Sequence, residues 1–373
     1  MAITINQQPP WPNVTKTNLV FSVSSDKSNE PQMRYVFDIH GYFSDEFFGR
    51  IKVYPNKLGR GIVDISRELD DLVNYDTSWK QIGRDYNQGQ IILRIKIGEE
   101  YSTSLSEPST VYPDLAQSTQ YVWPGKVYKN NGIGYNYPVS TEPLLTNRPD
   151  NIEMSEDDYV TFSTVSPGSV ANAVRVTYKN SNGAIITYPS YTLPQGVYQY
   201  GIGKGNAPAG WDTATVEVDV AAGGTKTRVY KRLDTCKDDS TSFAFINDYG
   251  VWDYYHISNP LKRQTKVDRN TYDQTFVDYS SNNSNYNVSN RGTTQYYTEY
   301  SDTYNITTDY LDKPTADWLT ELFRSPEVYI QEGDDFIPIV MTQSSIDWNM
   351  NQYRQKLFQY DIEFKYANER QPR

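Results

Sequence analysis

The sequence predicts a mainly β protein, built from tandem β-sandwich domains with a few short helices and a long extended arm. Apolar and polar residues alternate with a period of two in several short segments, which is typical of strands with one buried face. Residues that favour tight turns separate these segments. Aromatic residues make up 14% of the 373-residue chain, and the chain has 33 tyrosines, which favour strands and offer rigid contact surfaces. This combination is typical of immunoglobulin- or fibronectin-like sandwiches.

Residues 1–100 are predicted to form an N-terminal β-sandwich domain. A helical spacing of apolar residues interrupts the strand pattern at residues 64–73, so one short helix is expected there. Asp64 or Ser66 is the expected cap of this helix, because both side chains can accept from free backbone N–H groups. The alternating segments that predict the strands of this domain are residues 18–23, 33–39, 49–54 and 90–97.

Residues 101–149 differ from their surroundings and are predicted to form an extended arm or linker. Pro and Gly stand there among Tyr, Asn, Ser and Thr. Aromatic residues beside prolines favour extended backbone that can lie along a neighbouring molecule. A disordered spacer is the alternative, although such spacers are usually poor in aromatic residues. Six aromatic residues of the arm are the predicted partner-binding residues: Tyr112, Tyr121, Trp123, Tyr128, Tyr135 and Tyr137.

A central β domain is predicted at residues 150–258. Asn182 and Gly183 stand between two strand segments, and this pair signals a hairpin because it adopts the positive φ of tight turns. Residues 213–220 and 227–230 flank a second glycine-containing turn in the same way. The domain is therefore expected to be antiparallel.

The C-terminal β domain, residues 259–373, is predicted to contain one short helix at residues 313–323. Pro314 suits the first turn of this helix, and Pro326 ends it. A polar, tyrosine-rich stretch opens the domain, with a loop tip expected at residues 280–286.

The charge of the chain argues against nucleic acid and anionic membranes as partners. Its formal net charge is −11 and its pI is near 4.8, and both partners repel a negative surface. Cys236 is the single cysteine, so no internal disulfide is expected, and synthesis in a reducing cytosol is favoured. Residues 1–6 lack the features of a secretory signal, and no apolar run approaches the roughly 18 residues that span a bilayer. We therefore expect neither nucleic-acid binding nor membrane insertion.

The sequence contains no motif that predicts catalysis, a cofactor or a metal. His40 and His256 are far apart and stand in no paired-ligand pattern, and no Gly-x-Ser-x-Gly motif is present. The glycine-rich residues 201–205 lack the Gly-Lys-Ser/Thr ending of a phosphate loop and are predicted to be an inter-strand loop. Catalytic, cofactor-binding and metal-binding residues are therefore predicted as none, and the chain is predicted not to be an enzyme.

Two other interpretations stay open. Adjacent acidic residues at 156–158, 238–239 and 334–335 leave a carboxylate-based glycoside hydrolase as one alternative, although neighbours on a strand point to opposite faces. Tyrosines within residues 253–256 and 295–300 are able to stack on sugar rings, which leaves a carbohydrate-binding surface as the other.

Residues 233–257 contain two strand segments that surround an Asn-Asp-Tyr-Gly turn. Two further segments belong with this one: residues 50–56 with 61–66, and residues 318–328 with 336–340. The three segments resemble virion structural proteins of tailed bacteriophages, particularly those of Bacteroidetes hosts, including crAss-like phages. These motifs are loose and mostly structural, and they carry no catalytic residues.

The resemblance implies a structural subunit of a phage tail, neck or baseplate, which forms a ring or adaptor through protein–protein contacts. Its implied partners are other virion structural proteins and further copies of itself in a homo-oligomeric ring. Its implied location is the virion, after synthesis in the cytoplasm of the bacterial host. The alternative function is a host-glycan-binding adhesin or fibre-attachment module, with a host glycan as the partner.

Overall fold

The computed structural model describes residues 3–9, 13–76, 84–86, 89–126, 143–150, 152–166, 172–187, 191–220, 224–233, 240–275, 277–278, 285–286, 289, 292–343 and 357–368. Within these ranges the chain forms 26 strands and two short helices, which confirms the mainly β fold class. In the same ranges no helix is long and apolar enough to cross a membrane.

The N-terminal block is a sandwich of two sheets. One sheet has the strand order β1-β3-β6 and the other β2-β9-β8-β4-β5, and their facing side chains form one apolar core that includes Phe21, Phe37 and Ile95. The elements of this part of the chain are β1 (Ile3–Gln7), β2 (Asn13–Lys16), β3 (Val20–Ser25), β4 (Arg34–Gly41), β5 (Phe47–Val53), β6 (Arg60–Asp64), α1 (Ser66–Asp70), β7 (Arg84–Tyr86), β8 (Ile91–Tyr101) and β9 (Thr110–Lys126).

The predicted helix near residue 66 is confirmed as α1, but its cap differs from the expectation. Ile65 occupies the cap position and makes no side-chain cap hydrogen bond. The Asp64 carboxylate nevertheless accepts from the backbone N–H of Ser66 at 3.0 Å, so Asp64 satisfies one of the free donors of the first turn.

The prediction of an extended arm at residues 101–149 is wrong for its first half, because β9 (Thr110–Lys126) is a strand of the N-terminal sandwich. It pairs with β8 from Ile91 to Tyr101 and runs parallel to β2 on its other side. Pro113 is accommodated at an irregularity of the β8–β9 pairing, where Gly98 leaves room for the neighbouring Tyr112 carbonyl. A bulge allows a proline within a sheet, since no ladder hydrogen bond is then lost.

The central block contains a six-stranded and a three-stranded sheet. The larger has the order β10-β17-β16-β12-β13, with β14 also on β12, and the smaller has the order β11-β15-β7. Both predicted hairpins are confirmed as antiparallel pairs, β12 with β13 and β16 with β17, and Gly183 in the first turn has a φ of 77°. The strands are β10 (Ile152–Met154), β11 (Thr161–Ser166), β12 (Asn172–Lys179), β13 (Ile185–Thr187), β14 (Tyr191–Leu193), β15 (Gly196–Gly201), β16 (Thr213–Val220) and β17 (Gly224–Arg232).

The C-terminal block contains a seven-stranded sheet with the order β19-β18-β24-β25-β26-β23-β20. The predicted helix is confirmed as α2, whose cap Asp312 accepts from the backbone N–H of Thr315. The elements are β18 (Thr241–Ile246), β19 (Trp252–Ile257), β20 (Lys262–Asp273), β21 (Val277–Asp278), β22 (Asn285–Tyr286), β23 (Thr293–Thr307), α2 (Lys313–Arg324), β24 (Val328–Glu332), β25 (Asp335–Met341) and β26 (Asp361–Tyr366).

The central hairpin, formed by β18 and β19, packs against two cores at once. Ala244 and Ile246 face the core of the central block, whereas Phe243 and Phe245 face the core that α2 covers. All six residues of β18 are buried, which explains its continuous apolar run. Because this hairpin belongs to the C-terminal sheet, the domain boundary expected at residue 258 lies before it instead.

The turn of the central hairpin also holds the N-terminal sandwich. Lys126 at the end of β9 donates its backbone N–H to the Asp248 carbonyl at 2.6 Å, and the Trp123 indole donates to the Tyr249 carbonyl at 2.9 Å. Gly250 has a φ of 75°, and a Cβ there would lie 1.2 Å from the Pro124 carbonyl oxygen. Only glycine permits this backbone approach.

Gly250→Ala is therefore expected to destabilise the protein severely or to prevent folding. Gly210→Ala is the matched control, because Gly210 has the same φ of 75° but a Cβ there would have no atom within 4 Å. The control should cost about 1–2 kcal/mol for the left-handed backbone alone, and Gly250→Ala should cost clearly more. Urea unfolding measures both. Equal losses in the two variants would contradict the account of this junction.

Candidate assembly surface

A long two-stranded ribbon projects from the C-terminal sheet. We define the ribbon as residues 264–273 of β20 paired with residues 293–303 of β23. β26 pairs with β23 only from Tyr304 to Thr307, so among the described residues no third strand accompanies the ribbon. At about 3.3 Å per residue, it extends for about 30 Å.

Both faces of the ribbon are open to solvent. In β20 every residue is exposed except the half-buried Val267, and in β23 residues 295–301 are all exposed. This explains why the sequence lacks a period-two apolar pattern here, since such a pattern arises only where one face of a strand is buried.

The root of the ribbon is fixed by a buried carboxylate. Asp302 accepts from the Thr265 hydroxyl at 2.6 Å and also from the guanidinium of Arg263. The hydrogen bond from Arg263 is the main reason why the pKa of Asp302 is lowered. Next to it, the Tyr304 ring stacks on Phe364 at 5.6 Å between centroids. These contacts set the direction in which the ribbon leaves the body.

The exposed side chains of the ribbon include a group of tyrosines. Tyr272 and Tyr296 lie with ring centroids 6.0 Å apart, and the irregular pairing between Asn270 and Thr271 adds Tyr296 as an extra residue on β23. Tyr297 and Tyr300 are exposed by 48% and 42%. Such rings offer large rigid surfaces with polar tips, which suit wet protein interfaces.

The ribbon carries charges of both signs. Residues 264–273 contain two basic and two acidic residues, and residues 293–303 contain two acidic residues. Charged side chains along an open strand also oppose edge-to-edge pairing. The faces of the ribbon are therefore better suited to contacts than its edges.

The residues predicted to contact partners lie elsewhere, and one of them is an interior residue. Trp123 is 1% exposed and packs in a small core at the junction of the blocks, so its predicted exposure to a partner is corrected. Tyr112 is half-buried and stacks on Tyr101 at 5.0 Å, and Tyr121 is half-buried on β9. The other three predicted partner residues lie outside the described residues: Tyr128, Tyr135 and Tyr137.

A serine, a histidine and an aspartate meet between β18, β19 and the central block. The Ser242 hydroxyl lies 2.9 Å from His256 Nδ1 and donates to Asp158 at 2.6 Å, and Asp158 lies 2.9 Å from the same nitrogen. A catalytic triad needs the serine and the acid on opposite nitrogens of the imidazole. Here both contact Nδ1, and all three side chains are buried. The arrangement links the blocks and does not form a nucleophile site.

Two buried carboxyl groups lie beside α2. Asp253 accepts from the Trp318 indole and the Thr146 hydroxyl, and Glu321 accepts from Asn147 at 2.7 Å and from the backbone N–H of Asp248 at 3.0 Å. Both are almost fully buried, with 5% and 3% exposure. Burial is the main cause that raises the pKa of Glu321 to about 7. Their hydrogen bonds to protein groups hold both acids inside the structure, whereas a glycosidase presents its pair to a substrate groove.

Comparisons with known proteins give no family. No family model and no curated protein matches the chain. A match among solved structures is the crystal structure of trypsin-activated alpha-2-macroglobulin from Escherichia coli, with 9% sequence identity and a TM-score of 0.20. The match covers 83% of this chain but only 23% of that chain. A similarity this low carries no argument about function.

Glu321→Gln is expected to flatten the pH dependence of stability. The folded carboxyl keeps its proton up to about pH 7, whereas the unfolded one loses it near 4.5, so the free energy of unfolding of the wild type falls as the pH rises between these values. The fall should reach up to about 3 kcal/mol. In the variant an NH2 group replaces one of the two oxygens that accept from Asn147 and from the backbone N–H of Asp248. The loss of this acceptor lowers stability by an amount that does not depend on pH.

Urea unfolding at pH 5 and pH 8 measures this difference in slope. Asp317→Asn is the matched control, since Asp317 lies on the same helix with an exposed side chain, and it should keep the fall seen in the wild type. If Glu321→Gln lost as much stability as the wild type between the two pH values, Glu321 would not be the responsible group.

Proposed function

We propose that the chain is a non-enzymatic structural subunit of a tailed-phage virion. In this proposal it forms a ring or adaptor in the tail, neck or baseplate, and its partners are other virion proteins and further copies of itself. The observation that carries the proposal is the ribbon, residues 264–273 and 293–303, which is exposed on both faces.

The exposure of the ribbon supports the proposal that it contacts a partner. A two-stranded hairpin alone in water is at best marginally stable, yet the chain extends one for about 30 Å beyond the body. The Arg263–Asp302 contact fixes its root, but no described residue packs over its outer part. A neighbouring subunit that covers one face would supply the missing burial, and the tyrosines would be its anchors.

The rest of the molecule supports a role as a rigid unit. The segments that resemble virion proteins contain the central hairpin, parts of β5 and β6, the second half of α2 and most of β25. They lie in the framework of the three blocks and not on the ribbon. A framework held together by shared cores can be repeated around a symmetric ring, where one surface is reused by every copy.

A host-glycan-binding adhesin is the second candidate function. The observation that favours it is the group of exposed tyrosines on the ribbon, because aromatic rings stack on sugar faces. Binding of the purified protein to host polysaccharide, lost when Tyr296 and Tyr300 are changed to Ser, would support it. If the purified protein bound no host glycan, assembly would be the better explanation of the exposed tyrosines.

Removing the outer ribbon should block assembly and leave the body folded. The variant replaces residues 267–300 with Asn-Gly, which joins the paired residues Lys266 and Ser301 and keeps the bonds of Asp302. We expect an unfolding midpoint close to that of the wild type, because none of the described residues that are removed belongs to a core. In phage that carry only this variant, electron microscopy should show particles that lack a complete tail, neck or baseplate.

Point variants make the same test without a deletion. Tyr296→Ser with Tyr300→Ser should reduce the yield of infectious particles at least tenfold. Tyr54→Ser is the matched control, because Tyr54 is an exposed tyrosine away from the ribbon, with 67% exposure, and its loss should have little effect. Normal particles from the truncated ribbon would overturn the assembly role assigned to it.

A further inference from the structure

A second feature of the protein lies at the meeting point of the central block, β19 and α2. A cavity of about 170 Å³ is lined there by residues that include Arg148, Glu153, His256, Asp309, Thr315 and Trp318. By the same measure a single water needs about 10–15 Å³, so the cavity has room for a small organic molecule.

Arg148 forms the inner wall of the cavity. The residue is 7% exposed, and its guanidinium lies over the Trp318 ring at 5.0 Å and near the Tyr230 ring at 5.9 Å. Its backbone N–H donates to the Thr146 hydroxyl, which fixes the main chain. The side chain is therefore held in place by two aromatic rings.

The guanidinium has no hydrogen-bond acceptor among the described residues. Its five N–H donors are normally satisfied when an arginine is buried, because an unpaired buried charge is strongly unfavourable. Asp253 acts on it through charge alone, and the Asp253 Oδ2 atom accepts from Trp318 and Thr146. Burial lowers the pKa of Arg148 to about 10, so the group is still a cation at neutral pH. An acceptor from outside the chain fits this position.

The mouth of the cavity has the opposite charge. Glu153 is exposed and Asp309 is half-buried. In the described part of the chain, Glu153 makes no ion pair and Asp309 accepts only from the backbone N–H of Ser258. Asp150 also lines the mouth and pairs with Arg228 at 3.3 Å. A multiply charged anion such as phosphate would be repelled by these carboxylates. A ligand with an anionic end and a cationic end matches both parts of the cavity.

We infer that this cavity binds a small zwitterionic carboxylate of the amino-acid class. The planar carboxylate of the ligand accepts two parallel hydrogen bonds from the Arg148 guanidinium, a geometry that this group favours. The ammonium group of the ligand lies at the mouth, near Glu153 and Asp309. The Thr315 hydroxyl, in the first turn of α2, is a further polar group on the wall.

Isothermal titration calorimetry with the full chain tests this inference. The probes are glycine, β-alanine and 4-aminobutyrate, with butyrate and butylamine as matched compounds that carry one charged end each, and inorganic phosphate as the anion control. We expect saturable binding of at least one amino acid, at least tenfold tighter than butyrate, butylamine or phosphate.

Variants of Arg148 and Glu153 test whether the amino acid binds in this cavity. Arg148→Met should abolish it, and Glu153→Gln, on the exposed rim, should weaken it several-fold without a change in stability. Because Arg148→Met removes a buried cation near Asp253 and can fail to fold, Arg148→Lys is the second variant. It keeps the charge but loses the planar fork, and should weaken binding at least tenfold.

Three results would overturn the inference. The first is the absence of saturable binding heat when the wild type is titrated with each of the amino acids up to 10 mM. This result requires no variant. Another is binding that Arg148→Lys and Glu153→Gln both leave unchanged. The third is tighter binding of phosphate than of every amino acid, which would assign the cavity to a different class of ligand.

Discussion

The close backbone contact between the turn of the central hairpin and the end of β9 holds the three blocks of this protein together. At this point Gly250 lies against the Pro124 carbonyl, and the Trp123 indole and the Lys126 amide donate to the carbonyls of the same turn. Behind the turn, β18 is buried on both faces between two cores. The blocks therefore form one unit. A hairpin that packs against two cores cannot separate from either of them without exposing apolar residues of that core.

This rigid unit explains why the two exceptional features lie where they do. The ribbon begins directly after the central hairpin and is fixed at its root by Asp302, so its direction is set by the body. The cavity at Arg148 is lined by residues of β19 in the same hairpin and of the first part of α2. Both features differ from the rest of the described structure. The ribbon leaves two strand faces uncovered, and Arg148 is a buried cation without a hydrogen-bond acceptor in the described residues. Such departures are expected where a protein meets another molecule.

Sequence patterns predicted the elements whose burial is one-sided. The alternating strands, the Asn182-Gly183 hairpin and α2 were all predictable, because one buried face leaves a period of two or a helical stripe in the sequence. The prolines beside aromatics near residues 112 and 123 suggested a free arm, but bulges place those prolines inside a sheet. The ribbon was missed because two exposed faces leave no apolar period. Nothing in the sequence near Arg148 indicates that its guanidinium is buried between two rings, since that depends on residues far away in the chain.

We propose that the ribbon is the part of the chain that contacts neighbouring subunits. Electron microscopy of the intact phage particle, at a resolution that traces strands, tests it most directly. We expect density for this chain in a ring of the tail, neck or baseplate, with one face of residues 264–273 and 293–303 packed on an adjacent subunit and the tyrosines at the centre of the contact. A chain absent from the particle, or a ribbon that points into solvent in every copy, would contradict it.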